Sequence, residues 1–361
     1  MKEEIINGIK YHLDEETLTA EVIELKDAFE HDETKLTAEK LMKMIFNGYE
    51  GDIIIPETVV FNERTYRVTS IGEKAFNGCK SLKSIVIPDA VTSIGERAFA
   101  WCESLKSIVI PDGVTSIGEN AFTNCYSLKS VSIPDTVTSI GKMAFNDCQK
   151  LTSIIIPDGV KSIGNETFSS CYALTEIVIP NSVKSIGYEA FELCFSLKSV
   201  VIPAKVTKIE ERAFVGCKSL TSVIVDEGNP RYDSRENCNA IIETATNKLI
   251  LGCSQTIIPE SVTEIGEEAF SSCDSLTIPE GVTSIGAEAF RNCESLKSIT
   301  IPVSIKSIGG YAFDMCESLT SITFQGTIAQ WEEIKLGFCW SKDVSTTVIH
   351  CTDGDVSRYE K

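Results

Sequence analysis

A 23-residue repeat dominates this sequence of 361 residues. Residues 88–110 read PDAVTSIGERAFAWCESLKSIVI and residues 111–133 read PDGVTSIGENAFTNCYSLKSVSI, and the two segments align without a gap. Prolines mark the start of successive units, before and after an interruption: Pro88, Pro111, Pro134, Pro157, Pro180, Pro203, then Pro259, Pro279 and Pro302. Units this similar bury equivalent side chains against their neighbours, so the chain is expected to stack as a solenoid.

The hydrophobic period changes along each unit. Residues 82–87 follow the pattern Leu-x-x-Ile-x-Ile, which predicts a short strand with Leu82, Ile85 and Ile87 facing inward and Ser84 and Val86 facing outward. Residues 91–94 predict a second short strand that ends at Gly95. In residues 96–102 the apolar side chains have helical spacing, so we expect one or two turns of helix to complete the coil.

Ten cysteines occupy one column of the repeat, three residues after a recurrent phenylalanine. Identical side chains in a column point in the same direction, and no pair has the spacing of a zinc knuckle. We therefore expect buried, reduced thiols that pack as small hydrophobic groups. The column comprises Cys79, Cys102, Cys125, Cys148, Cys171, Cys194, Cys217, Cys273, Cys293 and Cys316, while disulfides among Cys238, Cys253, Cys339 and Cys351 stay open.

The Leu-x-x-Ile-x-Ile strand and the Ile-Gly-x-x-Ala-Phe-x-x-Cys segment resemble the BspA-like leucine-rich repeats over residues 68–324. Residues 8–17 resemble the opening hairpin of that family, and residues 329–331 and 349–355 resemble its closing segment. The resemblance implies an α/β solenoid, a right-handed leucine-rich-repeat superhelix of short parallel strands and short helical turns. It also implies protein binding and adhesion at a cell surface, for a chain that we expect to be a monomer.

Two breaks and two flanks divide the chain. Residues 1–67 are interpreted as an N-terminal cap with a hairpin and a helix, the latter from the apolar spacing within 26–50, and residues 325–361 as a C-terminal cap. The array at 68–324 contains a hairpin-like insertion at about 225–258, with predicted strands 240–243 and 248–251.

The repeat near residue 276 is three residues shorter than the regular unit, so the strand of that coil is expected to be shorter. In the C-terminal cap, five bulky side chains are expected to close the core: Phe324, Trp331, Ile334, Phe338 and Trp340.

Charge and motif content narrow the function. A net charge of −19 repels phosphate backbones and anionic lipid headgroups, so nucleic acid is not expected as a partner. No stretch of the sequence approaches the roughly 20 consecutive apolar residues of a membrane span, so membrane insertion is not expected either. Histidine occurs only at His12, His31 and His350, outside the repeat, and the phosphate-loop, zinc-protease and serine-hydrolase motifs are missing from the sequence. We therefore expect no enzymatic activity, no catalytic residue, no cofactor and no metal site. The start of the chain lacks a secretory pattern, which leaves secretion resting on the family resemblance.

Outward strand positions supply the first candidate binding surface, a concave groove with an apolar floor and a lysine rim. Stacked parallel strands would align these residues into columns that suit an extended acidic or amphipathic protein segment. β-branched residues also suit an ordinary solvated sheet face because they fit its pleat, so the columns alone do not distinguish a binding groove from such a face. The predicted contacts are Lys83, Val86, Lys106, Val109, Lys129, Ile155, Val178, Lys198 and Val201.

A second candidate surface lies on the flank, where the residue after the column cysteine is aromatic in several coils. Aromatic side chains are enriched in binding surfaces, although packing between coils explains them equally well. The flank residues are Trp101, Tyr126, Tyr172 and Phe195. They also support an alternative function as a carbohydrate-binding module, with the aromatic rings as sugar platforms.

Overall fold

The structure is a computed structural model that describes residues 2–25, 48–270 and 276–358. The chain divides into two compact units, Met1–Cys194 and Phe195–Lys361. The helix predicted within residues 26–50 lies almost entirely outside the described residues.

The first unit is built from short strands that recur along the chain. Their bounds are β1 (Lys2–Ile6), β2 (Ile9–Asp14), β3 (Thr19–Val22), β4 (Gly51–Ile54), β5 (Thr58–Phe61), β6 (Arg64–Ile71), β7 (Leu82–Val86), β8 (Ser93–Ile94), β9 (Ser107–Val109), β10 (Ser116–Ile117), β11 (Ser130–Ser132), β12 (Ser139–Ile140), β13 (Ser153–Ile155), β14 (Ser162–Ile163), β15 (Glu176–Val178) and β16 (Ser185–Ile186). The longer and shorter strands alternate along the array because every coil contributes one of each.

Equivalent strands pair in parallel and without a register shift between regular coils. Ser116 and Ile117 of β10 lie beside Ser93 and Ile94 of β8, and beside Ser139 and Ile140 of β12. The long strands β9 and β11 pair in the same way, as do β13 and β15. The structure thus confirms a β-solenoid of stacked parallel strands.

The helical turns predicted for residues 96–102 and their equivalents are wrong. Backbone N–H groups in this turn segment donate alternately to a carbonyl three residues back and to a carbonyl of the next coil: Ala98 bonds to Gly95 at 3.3 Å, and Phe99 to Ala121 at 2.7 Å. Arg97 and Trp101 have φ values of 51° and 62°, which interrupt a helix. The segment is therefore a series of turns bonded to its neighbours, in contrast to the internal bonding of a helix.

In the first unit, a glycine at the start of each turn segment permits this close stacking. A Cβ on Gly95 would lie 2.6 Å from the carbonyl carbon of Gly72, and one on Gly118 would lie 2.5 Å from that of Gly95. Any larger residue would push neighbouring coils apart.

Buried phenylalanines and cysteines form the centre of the first unit. Five neighbouring phenylalanine pairs stack from Phe76 to Phe191, with ring centroids 5.1–5.7 Å apart. Beside them the cysteine thiols donate to carbonyl oxygens of the preceding coil, as Cys102 does to Phe76 at 3.2 Å. The predicted buried column of free thiols is confirmed for the residues that the structure describes, whereas Cys273 lies outside them.

The N-terminal residues form the predicted hairpin and cover the first coil. Strand β2 pairs antiparallel with β1 on one side and with β3 on the other, and β3 then pairs in parallel with β6. Tyr49 ends the phenylalanine stack, with its ring 4.8 Å from that of Phe76, and its hydroxyl oxygen accepts a hydrogen bond from the backbone N–H of Lys10.

The second unit continues the pattern around an insertion. Its elements are β17 (Ser199–Ile202), β18 (Lys208–Ile209), β19 (Ser222–Val225), β20 (Tyr232–Asp233), a 3-10 turn (Arg235–Asn237), β21 (Ile241–Glu243), β22 (Lys248–Leu251), β23 (Glu264–Ile265), β24 (Ser284–Ile285), β25 (Ser298–Ile301), β26 (Ser307–Ile308), β27 (Ser321–Phe324), α1 (Ile328–Glu333), β28 (Lys335–Leu336), β29 (Val348–Cys351) and β30 (Gly354–Ser357).

Both predicted breaks of the repeat are present in the second unit. Strands β21 and β22 form the antiparallel hairpin, and β22 then pairs in parallel with β23, so the hairpin serves as a variant coil. In the coil that lost three residues, the long strand shrinks to an isolated bridge between Thr277 and Thr300.

The C-terminal cap buries most of the predicted bulky residues. Phe324, Trp331, Ile334 and Trp340 are buried, and Trp340 ends a stack with its ring 6.0 Å from that of Phe313. The prediction for Phe338 is wrong, because 75% of its surface is exposed. The backbone carbonyl of Phe338 accepts a hydrogen bond from the backbone N–H of Tyr311, as that of Glu119 does from Arg97. Phe338 therefore occupies the outward position that Glu119 occupies in a regular turn segment.

Candidate functional site

The strand face of the first unit is the row of outward side chains on β4, β7, β9, β11, β13 and β15. Strand register places Ile54 beside Val86, Val109 beside Ser132, and Ile155 beside Val178. The exposed fraction is 72% for Ile54, 56% for Val86, 69% for Val109, 76% for Ile155 and 68% for Val178. Five large apolar side chains therefore lie in water on one face.

Strand geometry explains why these side chains point outward. Successive residues of a strand face opposite sides, so Ile108 and Ile154 are buried while Val109 and Ile155 emerge. Lys83, Lys106 and Lys129 are exposed three residues before Val86, Val109 and Ser132, and an exposed serine column, Ser84, Ser107 and Ser130, lies between them and the apolar row. The structure thus brings the first-unit residues of the predicted groove onto one face, with cations along one side of the apolar row.

The strand face of the second unit begins apolar and then becomes polar. Lys198 and Val201 are exposed, and Val201 lies in register with Ile224. In later coils Thr300 and Thr323 occupy the equivalent positions, followed by His350. The apolar character of this surface is consequently concentrated in the earlier strands.

Ile54 also belongs to the strand face, although the groove predicted from the sequence did not include it. Residues 53–56 read Ile-Ile-Ile-Pro, as do residues 154–157, and this match is the sequence signal that indicates an equivalent strand. The step from Pro56 to Pro88 is 32 residues, because the β5–β6 hairpin is inserted between them, and this longer step hides the match.

The flank residues are brought together only in part. Trp101 is 43% exposed and meets Tyr126 edge to face, with ring centroids 6.1 Å apart. The Tyr126 hydroxyl donates to Asn124 Oδ1 at 3.2 Å, and burial raises the pKa of Tyr126, which keeps this donor protonated. Tyr172 is half-buried in the same unit, whereas Phe195 is the first residue of the second unit.

Several titratable side chains form close contacts with an oppositely charged or acidic neighbour. His12 contacts Glu3 at 2.7 Å, and His350 contacts Asp355 at 2.9 Å, both at strand surfaces near the ends of the array. In the second unit, burial raises the pKa of Glu268 although Arg212 forms an ion pair with it and opposes that rise. This pair joins two turn segments on either side of the inserted hairpin, which is a structural role.

The described part of the chain offers neither a metal site nor a membrane-spanning helix. Within it, no group of three or more His, Cys, Asp or Glu side chains is arranged to hold a metal ion. The same residues include no helix of the length and apolarity needed to cross a membrane.

The repeat geometry agrees with a known family model. The BspA type leucine rich repeat region, in six copies, matches residues 57–171, 115–242 and 250–350. The chain belongs to this family. No curated protein matches it.

Two solved structures resemble this BspA-type chain over most of its length. A leucine rich cell surface protein from Faecalibacterium prausnitzii is 30% identical with a TM-score of 0.63, covering 93% of this chain and 98% of that one. A leucine-rich repeat protein from Bacteroides ovatus is 26% identical with a TM-score of 0.51, covering 95% and 99%. Both support the leucine-rich-repeat solenoid fold.

Proposed function

We propose that this BspA-type chain is a non-catalytic protein-binding solenoid, and that the strand face of the first unit contacts the partner. One observation carries the proposal: apolar side chains, each more than half exposed, occupy the outward position on five of the six strands of this face, and strand register pairs Ile54 with Val86 and Ile155 with Val178. Water-exposed apolar rows of this kind mark interaction surfaces, because burying them releases ordered solvent.

The partner segment is expected to be extended. Neighbouring strands of a sheet lie roughly 4.8 Å apart, so equivalent side chains recur at a constant step that an extended chain can follow. Val109 and Ile155 would form the floor of such a contact. Lys83, Lys106 and Lys129 lie beside it and favour acidic residues along one edge of the partner, mainly by accelerating association.

A surface location accompanies this proposal. The Faecalibacterium prausnitzii relative is described as a cell surface protein, and it covers 93% of this chain. If this chain is also located at a cell surface, its proposed role is that of an adhesin. The non-catalytic part of the proposal is supported by the repeat sequence at 68–324, which contains no histidine.

Site-specific crosslinking tests the proposal. A photoreactive amino acid in place of Ser132, which is exposed within the apolar row, should capture a protein from host-cell or bacterial surface extracts. The matched control places the same group at Thr115, which is exposed and immediately precedes β10 in the same unit. Capture of one identifiable protein at Ser132 and not at Thr115 supports the strand face, and equal capture at both positions contradicts it.

A further inference from the structure

A cleft of about 390 Å³ opens on the turn segments of the first unit, beside Trp101. Its size lies at the lower end of the roughly 300–1,000 Å³ typical of sites for small organic ligands. The depression has a simple origin in the repeat. One column of the turn segments reads Asn77, Ala100, Thr123, Asn146, and the short side chain of Ala100 leaves space between longer neighbours.

Amide side chains line this cleft. Each asparagine amide offers two N–H donors and one carbonyl acceptor, which suits ligands that carry many hydroxyl groups. Thr123 Oγ1 donates to Asn146 Oδ1 at 3.3 Å, and the Tyr126 hydroxyl donates to Asn124 Oδ1 at 3.2 Å. These bonds use the amide oxygens and so orient the N–H donors of both asparagines without consuming them.

Trp101 adds an apolar platform beside the amides. The indole is 43% exposed, although its backbone N–H is fixed to Thr123 O at 2.8 Å and its ring is braced at its edge by Tyr126. An aromatic ring packs against the C–H face of a sugar ring, while the hydroxyl groups of the sugar meet nearby amides. An exposed indole next to four asparagine amides provides both kinds of contact in one place.

The charges around the cleft decide between neutral and acidic sugars. Lys74 Nζ lies 2.6 Å from Glu73, Arg97 Nε lies 3.8 Å from Glu96, and Lys142 Nζ lies 3.1 Å from Glu119. Each cation thus has a carboxylate neighbour, and the whole chain carries a charge of −19. An anionic sugar would gain little from the paired cations and would be repelled at longer range.

We infer that the turn face of the first unit binds a neutral saccharide of hexose or N-acetylhexosamine units in the cleft beside Trp101. This site is separate from the strand face, so either function can fail without the other.

Tryptophan fluorescence provides a direct test on the full chain. Of its three tryptophans, Trp331 and Trp340 are buried, so Trp101 is the one that external ligands and quenchers reach. The probes are neutral tetrasaccharides of glucose, galactose, mannose and N-acetylglucosamine, titrated to millimolar concentration. At least one should produce a saturable change in emission and protect Trp101 from acrylamide quenching. No saturable change with any of them overturns the inference.

Matched variants localise the effect by calorimetry. Ala100→Asn fills the floor with the residue found at Asn77 and Asn146, and Trp101→Asn introduces the residue found at Asn124, so both changes suit the fold. Each should weaken binding at least tenfold, whereas Val109→Ser on the strand face, which copies Ser132, should leave it unchanged. Full affinity in both cleft variants, or tighter salt-sensitive binding of a uronic acid tetrasaccharide, contradicts the inference.

Discussion

At the scale of single residues, two buried columns hold the coils together. Phe145 is fully buried, and its ring lies 5.3 Å from that of Phe122 and 5.7 Å from that of Phe168. In the cysteine column, Cys125 Sγ donates to Phe99 O at 3.2 Å. Both columns followed from the sequence, because residues repeated at one position of a solenoid must share one environment.

Phe145→Ala should lower the free energy of unfolding by about 3–5 kcal/mol, because it removes a buried ring from a stack and leaves a cavity. The loss should extend to both neighbouring coils, since each shares a ring contact with Phe145. Urea unfolding measures the change. Phe338→Ala is the matched control: its side chain is 75% exposed, so it should cost less than about 0.5 kcal/mol. Equal effects of the two changes would show that the phenylalanine column is not core.

The cysteine column should make the protein sensitive to alkali. Burial raises the pKa of Cys125 to about 12 and that of Cys148 well above its ordinary value. Below about pH 8.5 the thiols are mostly protonated in both the folded and the unfolded chain, so the free energy of unfolding does not change with their titration. Above it the unfolded chain releases protons that the folded chain retains, and stability falls by roughly 1.4 kcal/mol per thiol and pH unit.

Urea unfolding between pH 7.5 and 10.5, under reducing conditions, measures this slope. Cys125→Ala should make it shallower by roughly 1.4 kcal/mol per pH unit at the alkaline end. An identical slope in the variant would mean that this thiol titrates normally in the folded chain.

At the scale of elements, the turn segments carry the main departure from the sequence prediction. The side chains of Ala98, Phe99 and Cys102 have a spacing that fits a helix and a series of turns equally well. Hydrogen bonds between coils distinguish a series of turns from a helix. These bonds depend on how neighbouring coils stack, which the sequence of a single repeat does not reveal. The inserted hairpin and the shortened strand were predictable because their signals are local.

Substitution at Met143 separates a turn from a helix. Met143 has a φ of 57°, a conformation that glycine adopts freely and residues with a Cβ adopt at a cost of about 1–2 kcal/mol. Met143→Gly should therefore be more stable than Met143→Ala by about 1 kcal/mol in thermal or urea unfolding. In a helix the order would be reversed, with alanine about 1 kcal/mol more favourable. Comparing the two variants cancels the loss of the methionine side chain.

At the scale of the whole molecule, the repeat predicted the array and most of the strand face. Val86, Val109, Ile155 and Val178 follow from simple alternation within aligned strands. Ile54 was hidden by a longer step between prolines, and the cleft beside Trp101 depends on relative side-chain length across several coils. The depth of the cleft depends on the side chains of several neighbouring coils together, so the residues at one position of the repeat do not reveal it.

The most direct test of the central claim is the affinity of the captured partner for a chain with Val109→Asp, Ile155→Asp and Val178→Asp, with folding verified by circular dichroism. Charges in the apolar row must be desolvated on binding, so we predict that the dissociation constant rises by roughly a hundredfold or more. A control with Thr92→Asp, Thr115→Asp and Thr138→Asp, on exposed residues that immediately precede β8, β10 and β12, should bind like the unmodified chain. Unchanged affinity in the strand-face variant would contradict the account.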